Sequence, residues 1–119
     1  MKTPCTKRIC LLDDRFEIVD AQGGGRTTVK WSEVEIIVAF KRDYFAYDCL
    51  CVDFQLSDGI HVEADEQMDN FIELMEEAPK RCNGCVTLDG WYSSIVVPAF
   101  ETKMTVLYRR SAIAYSGPI

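Results

Sequence analysis

The sequence has one histidine, no phosphate-cradling glycine loop and no apolar run of membrane-spanning length. Each shortage excludes a class of function. Without a second histidine beside His61, acid–base chemistry would have to rest on carboxylates. Gly23-Gly24-Gly25 leads into Arg26-Thr27-Thr28 and a strand pattern. It lacks both the G-x-x-x-x-G-K-[ST] spacing and a following helix N-terminus, so it reads as a hairpin loop. The longest apolar run, Ile36 to Phe40, is strand-length, far short of the roughly 18 residues a membrane helix needs. Met1 to Arg8 is followed by no apolar h-region, which speaks against a secretory signal and for a cytoplasmic protein.

Clustered positive charge is also scarce. The formal net charge is -6, and the longest basic runs are pairs: Lys7-Arg8, Lys41-Arg42, Lys80-Arg81 and Arg109-Arg110. None forms the stripe that nucleic acid or an anionic membrane requires, so neither is an expected partner. Internal repeats, low-complexity stretches and linker-like breaks are missing too. The reading is therefore a single domain over residues 1–119, with loose termini at 1–8 and 111–119.

What is present is strand alternation, then one helix. Phe16 and Ile18 share a strand face. Thr27, Val29 and Trp31 alternate in the next strand. Val34, Ile36, Val38 and Phe40 follow at period two, then Leu50, Val52, Phe54 and Leu56. Ser57-Asp58-Gly59 is best taken as a three-residue hairpin loop. That choice sets Phe54 against Val62, Gln55 against His61 and Asp53 against Glu63, matching apolar with apolar, and gives Gly59 the positive-φ position. A two-residue turn would mix the faces.

Met68, Phe71, Ile72 and Met75 lie at i, i+3, i+4, i+7, one face of a helix. Asp65 is the expected N-cap, and Pro79 is expected to end the helix near Ala78. Ser93 to Val97 and Met104 to Tyr108 look like further strands. The fold class is α+β: an antiparallel meander covered by one amphipathic helix, with two or three short strands after it.

Trp31-Ser32-Glu33-Val34 entering a strand, the Ser57-Asp58-Gly59 turn and Phe71-Ile72-Glu73-Leu74 in the helix occur in an order that resembles small bacterial pleckstrin-homology-like domains. The stretch from Trp31 through Lys41-Arg42-Asp43 is also similar to a family of small uncharacterised bacterial proteins. The resemblance covers about residues 9–78 and implies a PH-like sheet or partial barrel serving as a scaffold for partner binding. It departs from the family in the long segment after the helix. It departs also at the first hairpin, where Asp13-Asp14-Arg15 replaces basic residues, so phosphoinositide binding is not carried over.

Three sets of residues are candidates for function. Tyr44, Phe45 and Tyr47 crowd a presumptive hairpin loop flanked by Lys41 and Arg42, the composition of an interface hot spot. Glu66, Asp69, Glu73 and Glu77 follow helical spacing and make an acidic face, either a docking surface for a basic partner or a solvated surface. Six cysteines occur, with Cys82 and Cys85 as a C-x-x-C in a turn; Cys49 with Cys51, or Cys5 with Cys10, would have to complete a zinc site. A thioredoxin-like role is disfavoured because the pair follows a helix C-terminus. The expected function is a non-catalytic interaction protein without cofactor, binding a protein partner or itself as a homodimer, in an adaptor or immunity-type role. The alternative is a zinc-binding module or small enzyme using Cys82 and Cys85.

Overall fold

The computed structural model describes residues 7–20, 22, 24–43, 48–90, 104–111 and 115. Among these residues are two antiparallel sheets, a single 3-10 turn at Trp31–Glu33 and one longer helix. The first sheet, in the order β1-β2-β3, comprises Lys7–Leu11, Arg15–Asp20 and Arg26–Lys30. The second comprises β4 (Val34–Asp43), β5 (Asp48–Leu56), β6 (His61–Asp65) and β7 (Thr105–Arg109), in the order β6-β5-β4-β7. The post-helix strand thus joins the second sheet, beside β4. The other post-helix strand expectation, Ser93 to Val97, lies outside the described residues.

β1 carries no clear alternation, and only Ile9 on it is buried, which is why the sequence left part of it in a loose terminus. Its far edge is held by the chain before the helix. Ile9 N–H donates to the Asp69 carbonyl at 2.9 Å, and the Asn70 side-chain amide donates to the Ile9 carbonyl at 2.8 Å.

Ile9, Phe16, Ile18 and Val29 of the first sheet contribute to the main core with Ile37, Ala39, Leu50, Val52, Phe54 and Leu107 of the second. Phe16 centres an aromatic group, with ring centroids 5.0 Å from both Trp31 and Phe54. The β5–β6 register is the expected one: Phe54 faces Val62, Gln55 faces His61 and Asp53 faces Glu63. Gly59 has φ +87°, the turn geometry that glycine adopts without a Cβ penalty.

β4 departs from simple period two. Its register against β5 shifts between Val34 and Ile36. This bulge sends Val34 into the main core, while Ile36, Val38 and Phe40 face the other side of the sheet with Cys49 and Cys51. Both sides are buried here, since Ile37 and Ala39 are as inaccessible as Ile36 and Val38.

The helix also differs from expectation. α1 spans Phe71–Arg81 and buries Phe71, Leu74, Met75 and Ala78. The i, i+3, i+4, i+7 pattern is right but its phase is one turn late, so Ile72 is 45% exposed. Asp65 is not an N-cap. Its carboxylate accepts from Gln67 N–H at 2.9 Å and closes a turn ahead of the helix, which starts after Asn70 at φ 71°. Pro79 lies inside α1 and does not end it. A proline in the last turn costs one N–H donor, and the helix continues to a Cys82 N–H bond on the Ala78 carbonyl at 2.8 Å. The extension lets Arg81 pair with Glu77 at 2.5 Å.

Candidate functional site

Three places concentrate polar or reactive chemistry. The first lies on the second side of the β4–β6 sheet. Asp53 and His61 are diagonal neighbours across β5 and β6, because Asp53 faces Glu63 and His61 stands two residues away. Asp53 is only 3% exposed, and its Oδ2 lies 2.6 Å from His61 Nδ1. A carboxylate can only accept, so Nδ1 carries the proton. The Tyr115 hydroxyl donates to the same Oδ2. Tyr115 packs edge-on to His61 with centroids 5.5 Å apart and rests against the cluster of Ile36, Val38, Phe40, Cys49 and Cys51. Burial, then the hydrogen bond to Asp53, pushes the Tyr115 phenol above its ordinary range. Beside it, Arg42 makes two hydrogen bonds to Glu63, at 2.6 and 3.2 Å, and sits 5.0 Å from the Phe40 ring centroid.

Asp53 therefore orients the His61 ring. Tyr115, in the segment expected to be a loose terminus, packs against the second side of the sheet. The diagonal Asp53–His61 pair was visible in the expected register; Tyr115 had no sequence signal, because its segment has no periodicity. Cys51 faces Asp65, at the other end of β6 from His61, so the two do not pair.

The second place is the cysteines. Cys49 and Cys51 lie in the cluster on the second side of the sheet, whereas Cys82 is in the main core with Cys85 packed against it. The structure therefore does not bring Cys49, Cys51, Cys82 and Cys85 together. Among the described residues no group of three or more Cys, His, Asp or Glu is placed to hold a metal ion. Burial foremost, then the Asp65 and Glu66 charges, raises the Cys49 thiol to about 11; burial raises Cys51 further and takes Cys82 to about 11. Cys5 lies outside the described residues.

The third place is an open groove of about 290 Å³ beside α1. Met75 and Pro79 from the helix and Leu88 from the following segment give it apolar walls, and Glu76, Lys80, Thr87 and Asp89 line it with polar groups. Ile72, Glu76 and Pro79 are spaced i, i+4, i+7, so exposed Ile72 continues the strip along the helix.

The expected interaction residues fare unevenly. Tyr44, Phe45 and Tyr47 lie outside the described residues. Lys41 is 3% exposed and Arg42 is engaged by Glu63, so these two do not form an open basic flank. The acidic face is divided. Glu66 and Asp69 precede the helix, and Glu66 accepts from Leu50 N–H at 2.9 Å. Glu73 is exposed on α1, and Glu77 pairs with Arg81. No pattern in the sequence marks the groove, which depends on the segment after Cys85 folding back along α1.

No family model, curated protein or solved structure matches the chain. Among the described residues, no helix is long and apolar enough to cross a membrane.

Proposed function

We propose that the chain is an interaction protein that binds a protein partner, or a second copy of itself, through the groove beside α1. The observation that carries this reading is the combination of apolar walls from Met75, Pro79 and Leu88 with exposed Ile72 in line along the helix. An apolar strip edged by Glu76 and Asp89 suits an apolar anchor flanked by basic residues, the mode in which short segments enter helix-lined grooves. The net charge of -6 favours such a basic partner over an acidic one.

The pleckstrin-homology-like reading of the fold and the cytoplasmic setting belong to the same proposal. A three-stranded and a four-stranded antiparallel sheet with one helix support the first. The return of β7 to the sheet after α1 is the departure from it.

Site-specific photocrosslinking in cells tests the groove. A crosslinker at Thr87 should give a discrete adduct that the same probe at exposed Thr28 does not. Glu76→Lys with Asp89→Lys should abolish it. Equal labelling from both positions would overturn the reading.

A further inference from the structure

We propose that Cys82 and Cys85 are a redox modification site, forming an intramolecular disulfide across the turn that closes α1. Cys85 N–H donates to the Cys82 carbonyl at 3.0 Å, and Gly84 takes φ +91°. A hydrogen-bonded turn of this kind holds its first and fourth Cα atoms within about 7 Å, and a disulfide spans roughly 4.4–6.8 Å. The turn thus sets the two thiols at bridging range with small local adjustment. Cys49 and Cys51 have no such turn, being two residues apart on one extended strand.

The two cysteines differ in access, which orders the steps. Cys85 is half-buried and Cys82 is 2% exposed. The oxidant is a low-molecular-weight disulfide such as oxidised glutathione. The Cys85 thiolate attacks one of its sulfurs, forming a mixed disulfide and releasing one small thiol. The Cys82 sulfur then attacks Cys85 Sγ, the mixed bond breaks, and a second small thiol leaves. Two protein thiols are oxidised, one disulfide is reduced, and both thiol protons end on the released thiols. The second attack is internal and needs no solvent access at Cys82. Arg110, whose charge lowers the Cys82 thiol against the larger effect of burial, favours the attacking form.

The helix C-terminus that makes this pair a poor thioredoxin-type catalyst suits it to a persistent bond. Burial raises Cys82 to about 11, and burial with the neighbouring Cys82 raises Cys85 to about 12. Thiols that ionise reluctantly both attack and leave slowly, so the bridge forms slowly and exchanges slowly once made. The turn joins the two walls of the α1 groove, Met75 and Pro79 on one side and Thr87 and Leu88 on the other. Oxidation would therefore fix their spacing, a consequence that rests on the proposed function, whereas the bond itself does not.

The test is titration of the reduced full-length protein with oxidised glutathione, acid quenching, alkylation and peptide mapping. The expected product is a Cys82–Cys85 bridge with the loss of two hydrogen masses, while Cys49 and Cys51 remain alkylatable after unfolding. Cys82→Ser should trap glutathione on Cys85. Gly84→Val should lower the equilibrium ratio of bridged to reduced protein about five- to thirty-fold, because a branched residue at that φ is strained and only the reduced chain can relax out of the turn. A Cβ at Gly84 meets nothing within 4 Å, so the backbone alone carries this effect. Persistent glutathione on Cys85 in the unaltered protein would overturn the proposal. So would earlier oxidation of Cys49 or Cys51, or one zinc per chain protecting Cys82 and Cys85. If the bridge forms but the Thr87 crosslink is lost from neither redox state, only the link to the groove fails.

Discussion

Removing the Tyr115 hydroxyl should destabilise the protein only while Asp53 is present. Tyr115 donates to Asp53 Oδ2, an atom that also accepts from His61 Nδ1, on a carboxylate 3% exposed. A hydrogen bond to a charged acceptor contributes about 1.5–3 kcal/mol, and half-buried Tyr115 points to the lower end. Tyr115→Phe should therefore cost about 1.5 kcal/mol, a fall in Tm of roughly 6 °C for a domain of this size. Asp53→Ala should cost about 3 kcal/mol, since it strands His61 and Tyr115 together. In that background, Tyr115→Phe should cost within about 0.5 kcal/mol of nothing, giving a coupling near 1.5 kcal/mol. Urea unfolding followed by circular dichroism reads all four corners of the cycle, provided the m-values agree. If Tyr115→Phe costs the same with and without Asp53, the hydroxyl does not work through the carboxylate, and the docking of the tail on the sheet must be reargued from ring packing alone.

Stability should also decline in alkali. Cys49 and Cys82 have folded pKa values raised to about 11, so their contribution is complete below the ordinary thiol range and is lost as pH rises from about 9 through 11. The loss should approach about 1.4 kcal/mol per pH unit for each thiol. Tyr115, raised in the same sense, adds a loss above its ordinary range near 10. Urea midpoints measured from pH 8 to 11 check this; a flat profile would contradict the burial of both thiols. Gly59→Ala should cost about 1–2 kcal/mol through backbone strain alone, as φ is +87° and a Cβ there meets nothing within 4 Å. Thermal denaturation of that variant beside Gly25→Ala, also in open space but without a positive φ, separates strain from bulk.

What could be read from the sequence depended on how many independent constraints met at each position. The β5–β6 hairpin was legible because face matching and the demand for glycine at φ +87° agree on one register. β4 was not fully legible. Ile36 to Phe40 is apolar at both parities, so period two cannot reveal the shift between Val34 and Ile36 that divides those side chains between two buried faces. The helix was found from its period, but Asp65 offers the same signature for an N-cap and for the turn it actually closes, which moved the start to Phe71. The zinc set of Cys82 and Cys85 with Cys49 and Cys51 failed to assemble for a similar reason. Spacing cannot say that Cys49 and Cys82 point into clusters on opposite sides of one sheet.

The bulge has a further consequence for the polar cluster. A sheet buried on one side only could leave its second side to solvent, and Asp53 with His61 would then be a screened surface pair of little energetic weight. Because β4 turns Ile36, Val38 and Phe40 toward that second side, it must be covered, and Tyr115 is the described residue packed against it. Covering the apolar patch also covers the carboxylate two residues beyond Cys51 on the same strand face. An unpaired buried carboxylate would be costly, and His61 and Tyr115 are the groups that satisfy it. The polar triad thus follows from the same shift in register that sequence periodicity could not display.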